Sequence, residues 1–504
     1  MNTFADPLRR ALQVGAARTA IVDGNKSFTY KQLFERCARL GNSLARFGLE
    51  PGDRVAILAA NCHQYVEAYM GVPAAGLVIV PLNCRHAQPE LEYALRDSGA
   101  RILLTDRDPA PFAGLVDHVI RLGGDYEALL ASAMRVTVGE GVFENDLAGL
   151  FYTGGTTGAA KGVMLSHRNL IANALHWMVS VAHHADDRWL VAAPMFHAAG
   201  SNAILPAVWS AAMMVTLPSF DAIAALDAIE RHHVTGTIVV PTMLGAMIEE
   251  QQAHPRQTGS LRTIMHGGSP IATEIVRRGH ACFPSADLVE IYGATELSPL
   301  ATVLHGEQHL TDDPRGRSCG RAIPGVTVRV LGADGRERPR GDVGEVVVRG
   351  PNVMQGYWNK PEQTAAVLRD DGYWTGDLGS MDDEGYLYLV DRSKDMIVSG
   401  GENVYSTEVE EILYRHPAVI EAAVFGIPHD TWGEAVHAVL VVRRADAGLD
   451  PTEFIAFCVD QIASYKIPKS IDVRTEPLPK SGPGKILKRE LRAPFWRGQD
   501  RGVH

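Results

Sequence analysis

Residues 151–162 read FYTGGTTGAAKG, with four glycines, three threonines and one lysine close together. Glycines let a backbone approach a ligand, threonine hydroxyls donate to oxyanions and a lysine adds a point charge, so the composition suits phosphate. The pattern G-x-x-x-x-G-K-[ST] is not met. Ala160 precedes Lys161 and Gly162 follows it, which leaves no hydroxyl after the lysine to hold magnesium. Taken alone, such a stretch is as readily a turn as a ligand site.

Four more strings carry chemistry. IYGATE at 291–296 closes a strand-like run, and strand ends of an open α/β sheet are where ligands bind. Tyr292 there is suited to stacking on a base and Glu296 to holding Mg²⁺, although a core tyrosine and a solvated glutamate would give the same letters. YWTGDL at 373–378 sets Asp377 behind a glycine turn, where a carboxylate can accept both hydroxyls of a ribose. DRSKDMIVSGGENVY at 391–405 contains Arg392, Lys394 and a glycine pair, and PLPKSGPGKILKREL is a basic, glycine-loosened segment centred on Lys485. Each string by itself also reads as a surface turn or solvated charge run.

The elements that must position them follow from periodicity. Leu33, Cys37, Leu40, Leu44 and Phe47 recur at helical spacing before Gly48 and the turn signal EPGD. Short apolar runs then alternate with helical stretches: RVAIL, LVIVPL, RILLTD, WLVAAP, MMVTLP, GTIVV, LRTIM and LVEIY. This is the rhythm of parallel α/β sheets. After about residue 320, GVTVRVL, GEVVVRG and GYLYLV alternate at period two between glycine-rich turns, which predicts hairpins. A third unit follows, in which Thr407 and Glu410 are expected to form a capping box for the helix EVEEILYRH, ahead of the strands VIEAAVFGI and AVHAVLVVR.

The expected fold is α/β. Residues 1–390 form an N-terminal domain (parallel α/β to about 320, a β subdomain over 321–390), 391–394 a hinge, and 395–504 a small mobile α+β domain.

Bulk properties narrow the function. A formal net charge of −11 argues against general nucleic-acid binding. Six cysteines at irregular spacing, with no C-x-x-C pair, fit free thiols in a reducing compartment. The N-terminus lacks the pattern of a signal peptide, and the expected location is cytoplasmic. The uncharged run 198–218 is interrupted by Ser201, Asn202, Pro206 and Ser210. It fits a buried helix followed by a core strand better than a membrane span.

In this order the five strings resemble the adenylate-forming superfamily, specifically acyl-CoA synthetases, from about residue 15 to 495. YTGGTTGAAKG is similar to the family's YT[SG]GTTGxPKG, YGATE to YGxTE and YWTGD to [YW]xTGD. DRSKDMIVSGGENVY resembles the hinge and glycine loop, and GPGKILKREL the terminal lysine motif. The resemblance implies that a carboxylate attacks the α-phosphorus of MgATP to give acyl-adenylate and pyrophosphate, after which the thiol of coenzyme A displaces AMP.

It also implies roles. Thr153, Thr156, Thr157 and Lys161 would grip pyrophosphate, and Gly267, Gly268, Ser269 and Tyr292 would frame adenine. Thr295 would meet the α-phosphate, Glu296 the magnesium, and Asp377 and Arg392 the ribose. Lys485 would bridge substrate carboxylate and phosphate, with His197 also in the catalytic set. Rotation about Lys394 would then bring Ser399, Gly400, Gly401 and Glu402 to the thioester site. Two positions depart from the pattern: Ala160 replaces a common proline, which is expected to loosen the turn, and Gly154 replaces a frequent serine.

The segments matching the acyl pocket, PMFHAAGSN, PTMLG, MHGGSP and ELSPLATV, place His197, Ala199, Asn202, Thr242, Met265, His266 and Pro299 around the acid. They contain no lysine or arginine for a second carboxylate, which disfavours dicarboxylates. An apolar acid remains, a medium or long fatty chain first and an aryl or alicyclic acid as the alternative. His197, His266 and Asn202 are able to hydrogen-bond a phenol or ketone, or merely to satisfy one another in the core. Loading of a separate carrier protein and non-catalytic nucleotide binding are the rival functions. The expected partners are the acid, ATP and coenzyme A, with homodimerisation left open.

Lys485→Ala is expected to slow adenylation at least ~10²-fold while largely sparing thioester formation from supplied acyl-adenylate. Separate assays of the two half-reactions check this; an equal loss in both contradicts the role.

Overall fold

The computed structural model describes residues 2–133, 137–153, 160–201, 203–269, 271, 273–306, 314–392, 395–399, 402–429, 431–459, 461–480 and 486–497. The fold is mixed α/β, with a large N-terminal part and a smaller C-terminal one. Two large sheets dominate the former.

In the nine-stranded sheet, Asp287–Gly293, Thr263–Gly267, Gly236–Val239, Arg188–Val191, Met213–Thr216 and Thr19–Asp23 run parallel in that spatial order. Lys26–Thr29 closes one edge antiparallel, and Leu300–Leu304 with Arg321–Ala322 the other. In the seven-stranded sheet, Leu147–Thr153, Val78–Pro81, Arg54–Leu58, Ile102–Thr105 and His118–Arg121 are parallel. Lys161–Ser166 and Gly356–Tyr357 extend it antiparallel.

The apolar runs are contiguous because such strands are covered on both faces. Val78–Pro81 and Ile102–Thr105 are buried throughout. The helix Tyr30–Leu44 buries Leu33, Cys37, Leu40 and Leu44, and its start is fixed by a capping box between Thr29 and Gln32. A short 3₁₀ turn, Ala45–Phe47, carries the chain to Gly48, whose φ of 69° favours glycine. The uncharged run 198–218 contains the short helix Ile204–Ser210, buried at most positions, followed by the strand Met213–Thr216. Among the described residues no helix is long and apolar enough to cross a membrane.

The period-two runs after residue 320 form an antiparallel sheet of Thr327–Leu331, Gly344–Arg349, Gly372–Met381, Leu368–Arg369 and Leu387–Arg392. The C-terminal part is built on a long antiparallel pair, Val419–His429 with Gly433–Val442, joined by the hairpin Ile397–Ser399/Glu402–Val404 and by Ser470–Arg474.

The expected capping box at Thr407 and Glu410 does not form. The helix starts two residues earlier, as Ser406–Tyr414, which puts Thr407 inside its first turn, where its hydroxyl donates to the Val390 carbonyl. Ser406 N–H donates instead to Asp391 Oδ2 at 2.7 Å. Glu410 is buried, accepting from Val424 N–H and pairing with Lys488 Nζ at 2.7 Å. The cap is supplied from a distant part of the chain, where a local pattern cannot show it.

His167 is fully buried, Phe4 N–H donates to its Nδ1 at 3.2 Å, and burial lowers its pKa from 6.5 to about 4. The unfolded chain therefore takes up a proton that the folded one refuses, and stability should fall as pH drops from about 6.5 towards about 4. The loss is on the order of 3 kcal/mol for this group. Denaturant unfolding at a series of pH values should show a shallower acid limb for His167→Gln than for the unaltered chain.

Candidate active site

Two neighbouring parallel strands supply one wall. Thr263–Gly267 and Asp287–Gly293 pair with Gly267 opposite Ile291, so Gly268, Ser269 and Tyr292 emerge at adjacent strand ends. A Cβ on Gly267 would lie 2.2 Å from the Ile291 carbonyl oxygen, so only glycine fits there. Beyond the second strand a 3₁₀ turn, Thr295–Leu297, presents Thr295 and Glu296 half-buried.

The second wall is a hairpin stem. Leu147–Thr153 and Lys161–Ser166 are antiparallel with Thr153 opposite Lys161. Lys161 is thus the first residue of a strand. The expected looseness at Ala160 meets a built contact: the Ala160 carbonyl accepts from Tyr93 Oη at 3.1 Å. Around it Tyr152 donates to Asp97 Oδ2 at 2.7 Å, and Trp358 Nε1 donates to the Asp97 carbonyl at 3.0 Å.

Tyrosines join these walls to the carboxylates. Tyr292 Oη donates to Asp377 Oδ2 at 2.8 Å, and Asp377 N–H donates to Thr375 Oγ1 at 3.0 Å. Tyr357 Oη donates to Glu296 Oε1 at 2.8 Å, and the Lys161 ammonium lies over the Tyr357 ring, 4.7 Å from its centroid. Tyr373 is buried among them. Burial first, and then neighbouring carboxylates, Asp377 beside Tyr292 and Glu296 with Asp377 beside Tyr373, push both phenols well above 10, so they stay protonated donors.

Magnesium is a hard cation usually held by one or two carboxylates together with substrate phosphates. Glu296 fits that use, because Oε1 is fixed by Tyr357 while Oε2 accepts no hydrogen bond among the described residues. Nor do the described residues contain a cluster of three or more His, Cys, Asp or Glu that would hold a metal alone.

His197 follows the strand Arg188–Val191 in a segment pinned by Asn61, whose Nδ2 donates to the Ala193 carbonyl at 3.0 Å and whose Oδ1 accepts from Met195 N–H at 2.8 Å. Burial, with help from Arg85 and His86, lowers the His197 pKa to about 4, so the imidazole is neutral near pH 7. The other described acyl-pocket residues differ in burial. Met265 and His266 are fully buried on opposite faces of one strand, and Met265 packs into the main apolar cluster. Thr242 is exposed and Pro299 half-buried.

Ser399 is buried and registers with Glu402, which is exposed, across a hairpin. Arg392 is opposite Asp377 in its sheet. Thr156, Thr157, Asn202, Lys394, Gly400, Gly401 and Lys485 lie outside the described residues, as do the side chains of Ala199 and Arg392.

Sequence reading missed Tyr357 and Glu290. Tyr357 in GYWNKPEQT has only the look of a core aromatic. Glu290 was detectable: it stands two residues before Tyr292 and so on the same strand face, and burial raises its carboxyl to about 8.

Strand-end glycines, phenol-held carboxylates and a hairpin with threonine and lysine opposite each other suit a nucleotide-using enzyme. The chain belongs to the AMP-binding enzyme family, whose signature matches residues 8–358 and whose C-terminal domain signature matches 408–485. It is 41% identical over 501 residues to a feruloyl-CoA synthase from Amycolatopsis sp, covering 97% of this chain and 98% of that one. It is 34% identical to a long-chain-fatty-acid–CoA ligase from Bacillus subtilis (strain 168), covering 94% and 91%. A solved structure of o-succinylbenzoate coenzyme A synthetase from Bacillus subtilis, in complex with ATP and magnesium ion, superposes with a TM-score of 0.86 at 30% identity, covering 97% of this chain and 98% of that one. The chain is accordingly an AMP-forming acid–thiol ligase.

Tyr292→Phe removes the donor to a buried carboxylate. ATP affinity, measured by calorimetry, is expected to fall about tenfold, the scale of one hydrogen bond to a charged group.

Proposed function

We propose that this enzyme activates an apolar ring acid as its adenylate and transfers the acyl group to coenzyme A. The observation that carries the ring-acid reading is His197: a neutral imidazole, pKa about 4, in the apolar segment Pro194–Ser201, able to hydrogen-bond a phenol without adding charge to the pocket. The 41% identity to a feruloyl-CoA synthase supports it over a fatty chain. The fatty-acid reading stays second, supported by the 34% relative.

In the first step the acid's carboxylate oxygen bonds to the α-phosphorus as the bond to the β-phosphate oxygen breaks. Thr153, Thr156, Thr157 and Lys161 receive the departing pyrophosphate charge, and Thr295 meets the α-phosphate. Glu296 would hold a magnesium ion, whose charge offsets that of the phosphates. Gly267, Gly268, Ser269 and Tyr292 frame the adenine, and Asp377 with Arg392 orients the ribose.

Lys485 stabilises the charge that develops between carboxylate and phosphate. In the second step the segment 395–504 turns about Lys394. Ser399, Gly400, Gly401 and Glu402 then flank the thiol as it attacks the acyl carbon and AMP leaves. The reaction as a whole needs ATP, Mg²⁺ and coenzyme A.

The test is a panel of hydroxycinnamic, benzoic, alicyclic and fatty acids assayed for pyrophosphate release and for CoA-dependent AMP formation. A ring acid is expected to exceed every fatty acid in kcat/KM by at least ~10-fold. The reverse order establishes the fatty-acid reading, transfer to a holo carrier protein but not to coenzyme A the carrier reading, and no turnover with any acid a binding role.

A further inference from the structure

One aromatic side chain touches both charged groups at the phosphate end of the site. Tyr357 donates its hydroxyl to Glu296 Oε1 at 2.8 Å, and its ring face underlies the Lys161 ammonium at 4.7 Å. The residue is only 6% exposed. Its backbone is held from both sides. Tyr357 registers with Val163 on the strand that begins at Lys161, and Met354 N–H, three residues earlier, donates to the Glu296 carbonyl at 2.9 Å. The short segment 354–357 is therefore a strut between the lysine's strand and the glutamate's turn.

The strut has an electrostatic consequence. An ammonium and a carboxylate this close to a common ring attract each other, and a direct pair would occupy carboxylate oxygens that a cation needs and turn the ammonium away from phosphate. The phenol gives each group a weaker, geometrically fixed partner. The hydroxyl satisfies one carboxylate oxygen without neutralising the charge, and the ring quadrupole gives the ammonium a contact that takes up neither Glu296 oxygen.

We propose that Tyr357 is a positioning residue of the nucleotide site, a spacer that holds Glu296 with Oε2 open to a divalent cation and keeps the Lys161 ammonium from pairing directly with that carboxylate. This rests on the adenylate-forming reading. It separates two contributions that single substitutions can divide. Tyr357→Phe keeps the ring under Lys161 and loses the donor to Glu296, whereas Tyr357→Leu loses both.

The experiment is binding without turnover on the full chain. Mn²⁺ is titrated in the presence of ATP and followed by the loss of the free-ion electron paramagnetic resonance signal, and ATP affinity is measured separately by calorimetry in EDTA. Tyr357→Phe is expected to weaken Mn²⁺ binding about tenfold and to change metal-free ATP affinity less than about twofold. Tyr357→Leu is expected to weaken both by several-fold or more.

Unaltered Mn²⁺ affinity in Tyr357→Phe overturns the assignment, and so does an equal loss of metal-bound and metal-free affinity, which is the mark of general damage. If the unsubstituted enzyme binds no ATP, the nucleotide reading falls and this inference with it. If it binds ATP and releases pyrophosphate with an acid, the two are judged apart.

Discussion

A carboxylate that must later meet a cation or a sugar has to be fixed in place without losing its charge. In this protein Tyr292 and Tyr357 perform that fixing, each with a 2.8 Å hydrogen bond. A phenol whose pKa is pushed up by burial cannot transfer its proton to a carboxylate near neutrality, so the acceptor stays anionic and oriented. The arrangement works only if both tyrosines are themselves immobile. Tyr292 is fixed by a parallel sheet and Tyr357 by an antiparallel extension of the other large sheet, so the active site depends on how the two sheets end beside each other.

The overall architecture was legible because parallel strands covered on both faces leave contiguous apolar runs. All eight of the runs quoted before residue 320 coincide with strands, from Arg54–Leu58 to Asp287–Gly293. The cap, expected at Thr407 but found at the Ser406 N–H, was misread for a different reason. Its donor is satisfied by Asp391, fifteen residues earlier, and side-chain bonds of that range leave no spacing pattern.

At the site, the residues carried by dense motifs were visible, while those acting through them were not. Tyr357 shows only aromaticity, which the core uses everywhere, and its role emerges from the register Tyr357 to Val163. A strand alternates its side chains, so Met265 and His266 face apart although they are neighbours in sequence.

The acidic balance of the chain, −11, opposes a polyanionic substrate on average, and the distribution of basic groups resolves this. Lys161 is held at a strand start, and the C-terminal lysine motif is anchored just beyond its own tip. Lys488 is half-buried, bonded to Ser406 Oγ and Glu410 at 2.7 Å each, while Ile486 and Leu491 pack against Phe425 and Val439. Cationic function is thus local and supported by packing, in keeping with specific recognition of one nucleotide instead of general attraction to anions.

The hairpin that presents Thr153 and Lys161 opposite each other has an implication for how this enzyme can vary. The backbone position of the lysine is set by sheet registry, Thr153 opposite Lys161. Insertions, deletions or exchanges at the tip should reshape the cradle around a phosphate chain while the charged post remains where it is. That separates tuning of nucleotide release from retention of the chemistry, and it makes the tip the natural place for directed evolution to alter turnover.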